Sequence, residues 1–281
     1  MKKLISIITL VLGLSVTTVG QNLNTKFFTD LGSALKTPET VLALDLSHSS
    51  LDELEKALPK FVNLEYLNLS DQHLETIPTS ISQLKKLKFL DLSGNDFVQL
   101  PSSFSDLQSL EELRLDRELR MNTDQTILLL GSLPKLRILS MRSDSIVILP
   151  TSIGELKRLE ILNLGGNPIK ELPESFAQLK QLQELFLDGD RSLNLRQAFT
   201  VLGQVPLLNT LHLEDNRLSS IPDNIKQLKQ LQKLYLSRNN IVQLKLDLND
   251  LRNLNYLNME GNPMDKTSIQ YLERTGLRFK F

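Results

Sequence analysis

The sequence predicts an α/β solenoid, a stack of similar layers that each add one short strand to a parallel sheet. Two observations carry that expectation. The pattern LxxLxLxxN begins at ten places, Val41, Leu64, Leu87, Leu110, Leu136, Leu159, Leu182, Leu208, Leu231 and Leu254. Successive intervals are 23, 23, 23, 26, 23, 23, 26, 23 and 23 residues, and a fixed period turns the question of domains into one of repeat number. The second observation is chemical. Strand side chains alternate, so the leucines at positions 4 and 6 point the same way, and one such strand buries little until it is stacked.

The N-terminus, MKKLISIITLVLGLSVTTVGQN, reads as a secretory signal peptide over residues 1–20. Lys2 and Lys3 form the positive start, Leu4 to Val16 is apolar, and Thr18-Val19-Gly20 supplies small residues for cleavage before Gln21. The rival is an uncleaved anchor, but the apolar run falls short of the roughly 20 residues that a span needs. Cleavage would remove two lysines and no acids, taking the formal charge from −1 to −3. Residues 21–40 read as an N-terminal helical cap: Phe27, Phe28, Leu31 and Leu35 follow helical spacing, Thr29 or Asp30 suits the N-cap, and Pro38 stops the helix.

The array spans 41–264. Asparagine at position 9 both donates and accepts through its amide, so it can satisfy turn backbone in its own and the next layer. Five of the ten residues there are Asn (Asn95, Asn167, Asn216, Asn239, Asn262), while Glu118, Asp144 and Asp190 are acids. An ionised carboxylate only accepts, which predicts looser turns at Glu118 and Asp190. Those two open the 26-residue repeats, whose segments 121–135 and 193–207 align through Asn122 with Asn194, Gly131 with Gly203 and Pro134 with Pro206. Both carry helix-period apolar residues. Five 23-residue repeats instead carry a Leu/Ile-Pro step at Pro78, Pro101, Pro150, Pro173 and Pro222, suited to an extended or 3₁₀ return. That step is missing from the repeats at Val41, Leu110 and Leu182. Residues 265–281 read as a C-terminal cap: a helix capped by Asp265 or Thr267, ended by Gly276, then a strand alternating Leu277, Phe279 and Phe281.

Ten in-register copies resemble the leucine-rich repeat family, with its consensus L-x-x-L-x-L-x-x-N/C-x-L and period of about 20–29 residues. The resemblance implies a curved horseshoe with the parallel sheet on its concave face and a convex side mixing loop, 3₁₀ and helix. The Leu-Pro-containing 23-residue repeats resemble the bacterial, Ras-group and plant disease-resistance-like subfamily, in which Ras-group members are mostly intracellular scaffolds.

Chemistry is hard to place on this chain. It has no cysteine, so no disulfide, thiolate site or Cys nucleophile. Its three histidines, His48, His73 and His212, stand at different motif positions, and no HExxH, GxSxG, Walker loop or metal-spaced cluster is present. The expectation is a non-enzyme with no cofactor and no metal.

Function is then expected on the concave face, at motif positions 3, 5 and 7. Exposed aromatic and apolar side chains ringed by polar groups mark interaction surfaces. The candidate partner-binding residues are Tyr66, Phe89, Arg114, Ile138, Arg142, Ile161, Asn163, Phe186, His212 and Tyr235. Gly165 would give a partner close access to the backbone. The bland alternative is that aromatic and β-branched residues simply favour strands. Those columns hold eight acids (Asp45, Asp91, Glu112, Asp116, Glu184, Asp188, Glu214, Glu260) and three bases (Arg114, Arg142, Lys233), a balance that repels nucleic acid and anionic lipid. Lysines gather before the strands instead, at Lys85, Lys86, Lys157, Lys180 and Lys229. Ten strands about 4.8 Å apart make a face roughly 45 Å long, long enough for a standard protein interface.

The expected function is therefore an exported (periplasmic or secreted) recognition module for a protein or peptide, without membrane insertion after signal cleavage. A cytoplasmic signalling scaffold and an envelope carbohydrate-binding or structural protein remain the alternatives.

Overall fold

The computed structural model describes residues 27–281; the expected signal peptide lies outside them. Twelve parallel strands form a single sheet in strict sequence order. They are β1 (Phe27–Phe28), β2 (Ala43–Asp45), β3 (Tyr66–Asn68), β4 (Phe89–Asp91), β5 (Glu112–Arg114), β6 (Ile138–Ser140), β7 (Ile161–Asn163), β8 (Glu184–Phe186), β9 (Thr210–His212), β10 (Lys233–Tyr235), β11 (Tyr256–Asn258) and β12 (Arg278–Lys280). Strands β2 to β11 are motif positions 3 to 5 of the ten repeats. Register is uniform, as in Leu139↔Leu162 and Leu162↔Leu185, so position 4 forms a buried row of leucines behind the sheet. One apolar cluster runs from Phe28 to Leu272.

The returns follow local chemistry. Behind Pro78, Pro101, Pro150, Pro173 and Pro222 run 3₁₀ turns at Thr79–Gln83, Ser102–Asp106, Thr151–Glu155, Glu174–Gln178 and Asp223–Gln227. The repeat from Leu231 also lacks proline, and its return is a short 3₁₀ turn, Leu248–Asp250, capped by Asp247. In order, the helices are α1 (Leu31–Ala34), α2 (Leu54–Ala57), α3 (Thr123–Leu130), α4 (Leu195–Leu202) and α5 (Lys266–Arg274). Helices α3 and α4 fill the 26-residue repeats. Asn122 and Asn194 accept from the N–H three residues on, at Gln125 and Gln197, which satisfies one orphan donor of each first turn.

At the N-terminal end Phe27 and Phe28 do not start a helix; they pair with Ala43 and Leu44 as β1. Helical spacing was real but short. Asp30 caps Ser33 N–H at 2.7 Å, so the helix begins only after it, and the two phenylalanines alternate instead, one exposed and one buried. At the other end α5 supplies polar groups that the last layer needs: Ser268 Oγ accepts from Leu244 N–H at 2.9 Å and Tyr271 OH accepts from Leu248 N–H at 3.0 Å.

Position 9 works differently from the expectation in two ways. The asparagine amides reach back to the preceding layer, not forward. Asn167 Nδ2 donates to Leu164 O of its own layer and Met141 O of the one before, both at 2.8 Å, while Oδ1 accepts from Asp144 N–H and Ile146 N–H. The acidic turns are not loose either: Glu118 is 1% exposed and Asp190 2%. Each carboxyl takes the asparagine's acceptor role. Glu118 Oε1 accepts from Asn95 N–H at 2.8 Å, and Asp144 Oδ1 from Glu118 N–H at 2.9 Å. What is missing is the donor, and the second oxygens, Glu118 Oε2, Asp144 Oδ2 and Asp190 Oδ2, are buried without partners. Burial pushes Glu118 and Asp144 up to about 8, which favours their neutral form at pH 7, and Asp190 up to about 6.

Candidate functional site on the open sheet face

The face opposite the core displays positions 3, 5 and 7, and much of it is already engaged with itself. Near the N-terminal end, Tyr66 stacks on Phe89 with centroids 4.5 Å apart and planes 3° from parallel. The Phe27 ring meets Tyr66 edge-on at 5.5 Å. It passes above Ala43, its register neighbour, because alanine leaves the space. Arg114 closes the file, its guanidinium 5.1 Å from the Phe89 ring centre, and also holds Glu112 Oε1 at 2.8 Å. A second file runs Phe186, His212, Tyr235 and Tyr256, at 3.9, 4.3 and 5.3 Å, and ends with Arg278 over Tyr256 at 5.9 Å. His212 is held from both sides, Nε2 by Glu184 Oε1 at 2.8 Å and Nδ1 by Glu214 Oε1 at 3.3 Å. Burial alone would depress it, but the two carboxylates outweigh burial and hold the imidazole above its ordinary value. Both nitrogens can donate only as imidazolium.

Between the files lies a saddle. Ile138 and Ile161 are register neighbours, with Glu112 beyond one and Glu184 beyond the other, and both isoleucines are half-buried. Beside it Asp188 reaches across two strands to Arg142, Oδ2 to Nη2 2.8 Å. The residue crossed is Gly165, where a Cβ would sit 2.5 Å from Asp188 Oδ1. Glycine is there to let a carboxylate lie over the backbone. The device recurs at the neighbouring corner: Arg117 reaches Asp71 at 2.6 Å across Gly94, where a Cβ would meet Asp71 Oδ1 at 2.2 Å.

Comparison with known proteins agrees with this architecture. A model of the leucine-rich repeat region matches residues 39–128 and 121–207, and a leucine rich repeat model matches 206–264. The chain belongs to the leucine-rich repeat family. Among solved structures it is similar to an internalin from Listeria monocytogenes, with TM-score 0.58, 20% identity, and coverage of 86% of this chain and 80% of that one. It is also similar to a chain of the Drosophila Toll–Spatzle complex (0.62, 24%, covering 87% and 33%) and to one of the mouse RP105/MD-1 complex (0.66, 24%, covering 92% and 45%). The chain thus spans a third of the former and under half of the latter. No curated protein matches the sequence. At these identities the likeness is one of fold.

Within this leucine-rich repeat sheet the expected site residues fall into three sets. Tyr66, Phe89 and Phe186 are 7–8% exposed, covered by their own stacking partners. Asn163 is 2% exposed, its Oδ1 accepting from Gly165 N–H at 2.9 Å, so it shapes a turn as Asp45, Asn68, Asp91 and Asn258 do. Gly165 is buried beneath Asp188, which closes the backbone access expected there. Arg114, Ile138, Arg142, Ile161, His212 and Tyr235 keep part of their surface. The structure brings Ile138 and Ile161 together as register neighbours, ties Arg142 to Asp188, and stacks His212 on Tyr235 further along the sheet. Sequence reasoning missed Phe27 and Arg278, both in end strands outside the ten-copy motif. A register count would have found Arg278, which pairs with Tyr256.

The acidity is unevenly spent. Arg114, Arg142 and His212 pair with Glu112, Asp188, Glu184 and Glu214, and Lys280 pairs with Glu260 at 2.6 Å. Asp45, Asp91 and Asp116 have no basic side chain in ion-pair contact among the described residues; they accept from Ser47, Ser93, Ser140 and Arg142 N–H. Burial pushes the Asp91 and Asp188 carboxyls up.

Proposed function

We propose that this chain is a non-enzymatic recognition module that holds a protein or peptide on the open, concave sheet face. The observation that carries the reading is the Ile138–Ile161 saddle: two apolar side chains on a sheet face, flanked by charge and by the Phe186 end of an aromatic file. Rigid files on either side hold the saddle in shape, so little side-chain entropy is lost on binding. Carboxylates around it favour a partner segment with apolar anchors beside basic residues. Among the described residues no group of three His, Asp or Glu side chains could hold a metal, and no helix is long and apolar enough to cross a membrane. The reading includes export, on the strength of Lys2, Lys3 and the apolar run to Val16.

The test is cross-linking and pull-down from the native source with the double variant Ile138→Gln, Ile161→Gln, which adds no charge beside Glu112 and Glu184. Both side chains are half-buried on the open face, so the melting temperature should stay within a few degrees, while capture of the wild-type partner falls at least tenfold. Undiminished capture by a folded variant would refute the face. For export, native protein should begin at Gln21; a Met1 start in a soluble cytoplasmic fraction would refute that part and favour the scaffold alternative.

A further inference from the structure

A site away from the open face stands at the C-terminal end of the pre-strand edge. There the last return and the segment after α5 leave a cleft of about 750 Å³. Arg252, Arg274 and Arg278 line it, the partly exposed Leu254 and Leu277 give it apolar wall, and no acidic residue contributes. All three arginines are exposed, and none has an ion pair or hydrogen bond among the described residues; Arg278 only lies against the Tyr256 ring.

Part of this edge behaves otherwise, although Lys135, Arg158 and Lys229 also have no ion pair among the described residues. Arg137 lies between Glu111 at 2.9 Å and Glu160 at 3.2 Å, Lys88 is held by Glu65 at 3.0 Å, Lys157 by Glu155 at 3.2 Å, and Lys85 lies 3.8 Å from Asp106. Neutralisation there comes largely from motif position 2, which reads Glu65, Lys88, Glu111, Arg137, Glu160 in successive layers. After Glu160 the column becomes Gln183, Asn209, Gln232 and Asn255. The acids stop while the bases continue. Three guanidiniums are left facing one cavity in a chain whose formal charge is −1.

We propose that this cleft binds a ligand carrying a phosphate or sulfate monoester, with an apolar portion against Leu254 and Leu277. Planar guanidinium forks match such oxyanions with paired N–H donors, and three of them can surround a tetrahedral group as one cannot. The volume falls in the range of small-molecule sites, about 300–1,000 Å³. An anion in the cleft supplies the countercharge that no lining residue provides. This site is independent of the open-face reading.

Isothermal titration of the full chain at physiological salt provides the test, with phenyl phosphate, phenyl sulfate, inorganic phosphate and inorganic sulfate as probes. One of the aryl esters should bind saturably at one site per chain, more tightly than its inorganic ion, and the preferred ester identifies the headgroup. The triple variant Arg252→Gln, Arg274→Gln, Arg278→Gln should weaken it at least tenfold. A matched control on the same edge, Lys157→Gln, Arg158→Gln, Lys180→Gln, should stay within twofold. If the cleft triple variant melts early, Arg252→Gln alone is read instead and should weaken binding at least threefold. The proposal is overturned if the wild-type chain binds neither ester saturably, if the control variant loses as much as the cleft variant, or if the cleft variant binds like wild type.

Discussion

Replacing Asn167 by leucine is expected to destabilise the array by on the order of 4–8 kcal/mol, although the two side chains are close in size. Four backbone groups depend on this one amide: Asp144 N–H, Ile146 N–H, Met141 O and Leu164 O. Asn167 is 1% exposed, so water cannot substitute, and each buried group left unpaired costs roughly 1–3 kcal/mol. The loss falls on two layers at once because the amide joins its own layer to the preceding one. In an array where most contacts join neighbouring layers, a break in the middle weakens the coupling of the two halves. Denaturant unfolding followed by circular dichroism should show a lower midpoint and a broadened or split transition. Hydrogen exchange should accelerate most at Asp144 and Ile146. A variant within 1 kcal/mol of wild type would show that the ladder is incidental to stability.

Periodicity made the fold legible, and side-chain reach hid much of the site. A leucine at position 4 has one direction available and one row to join, so ten repeats were enough to place β2 to β11. The end strands β1 and β12 carry no motif, and with them Phe27 and Arg278 were missed. On the open face the columns of positions 3, 5 and 7 were assigned properly. What the columns do not reveal is how far a long side chain travels when its neighbour is small. Phe27 crosses Ala43, Arg117 and Asp71 meet across Gly94, and Asp188 crosses Gly165 to reach Arg142. The crossings over Ala43 and Gly165 remove from solvent residues that the columns alone present to a partner. Stacking has the same effect on Tyr66, Phe89 and Phe186. The part of the face left accessible is therefore narrower than the columns suggest, and it includes Ile138 and Ile161. Glu118, Asp144 and Asp190 teach a related lesson. Their acceptor function could be read from residue type, whereas their protonation depends on burial that only the stacked layers create.

Those buried carboxyls give the chain an unusual dependence on pH. Glu118 rises from an ordinary 4.5 to about 8 and Asp144 from 3.8 to about 8, mainly through burial, with Asp190 rising to about 6. The folded state therefore binds these protons more tightly than the unfolded chain. The resulting stabilisation is complete below about pH 4 and is lost as pH climbs toward 8, the reverse of a salt-bridged carboxylate. At about 1.4 kcal/mol per unit, the loss is up to about 5 kcal/mol for Glu118 and about 6 kcal/mol for Asp144. Asn216 shows what a donor at this position does: its Nδ2 reaches Leu187 O at 2.8 Å across the other 26-residue repeat. The double variant Glu118→Gln, Asp144→Asn restores such donors without a proton. Calorimetric melting at pH 5, 7 and 8.5 should find the variant more stable than wild type at pH 8.5 by several degrees. The advantage should shrink steadily toward pH 5, where the wild-type carboxyls carry their own hydrogens. Parallel pH profiles for the two proteins would mean that Glu118 and Asp144 are ionised in the folded array, with water reaching oxygens that the packed layers enclose.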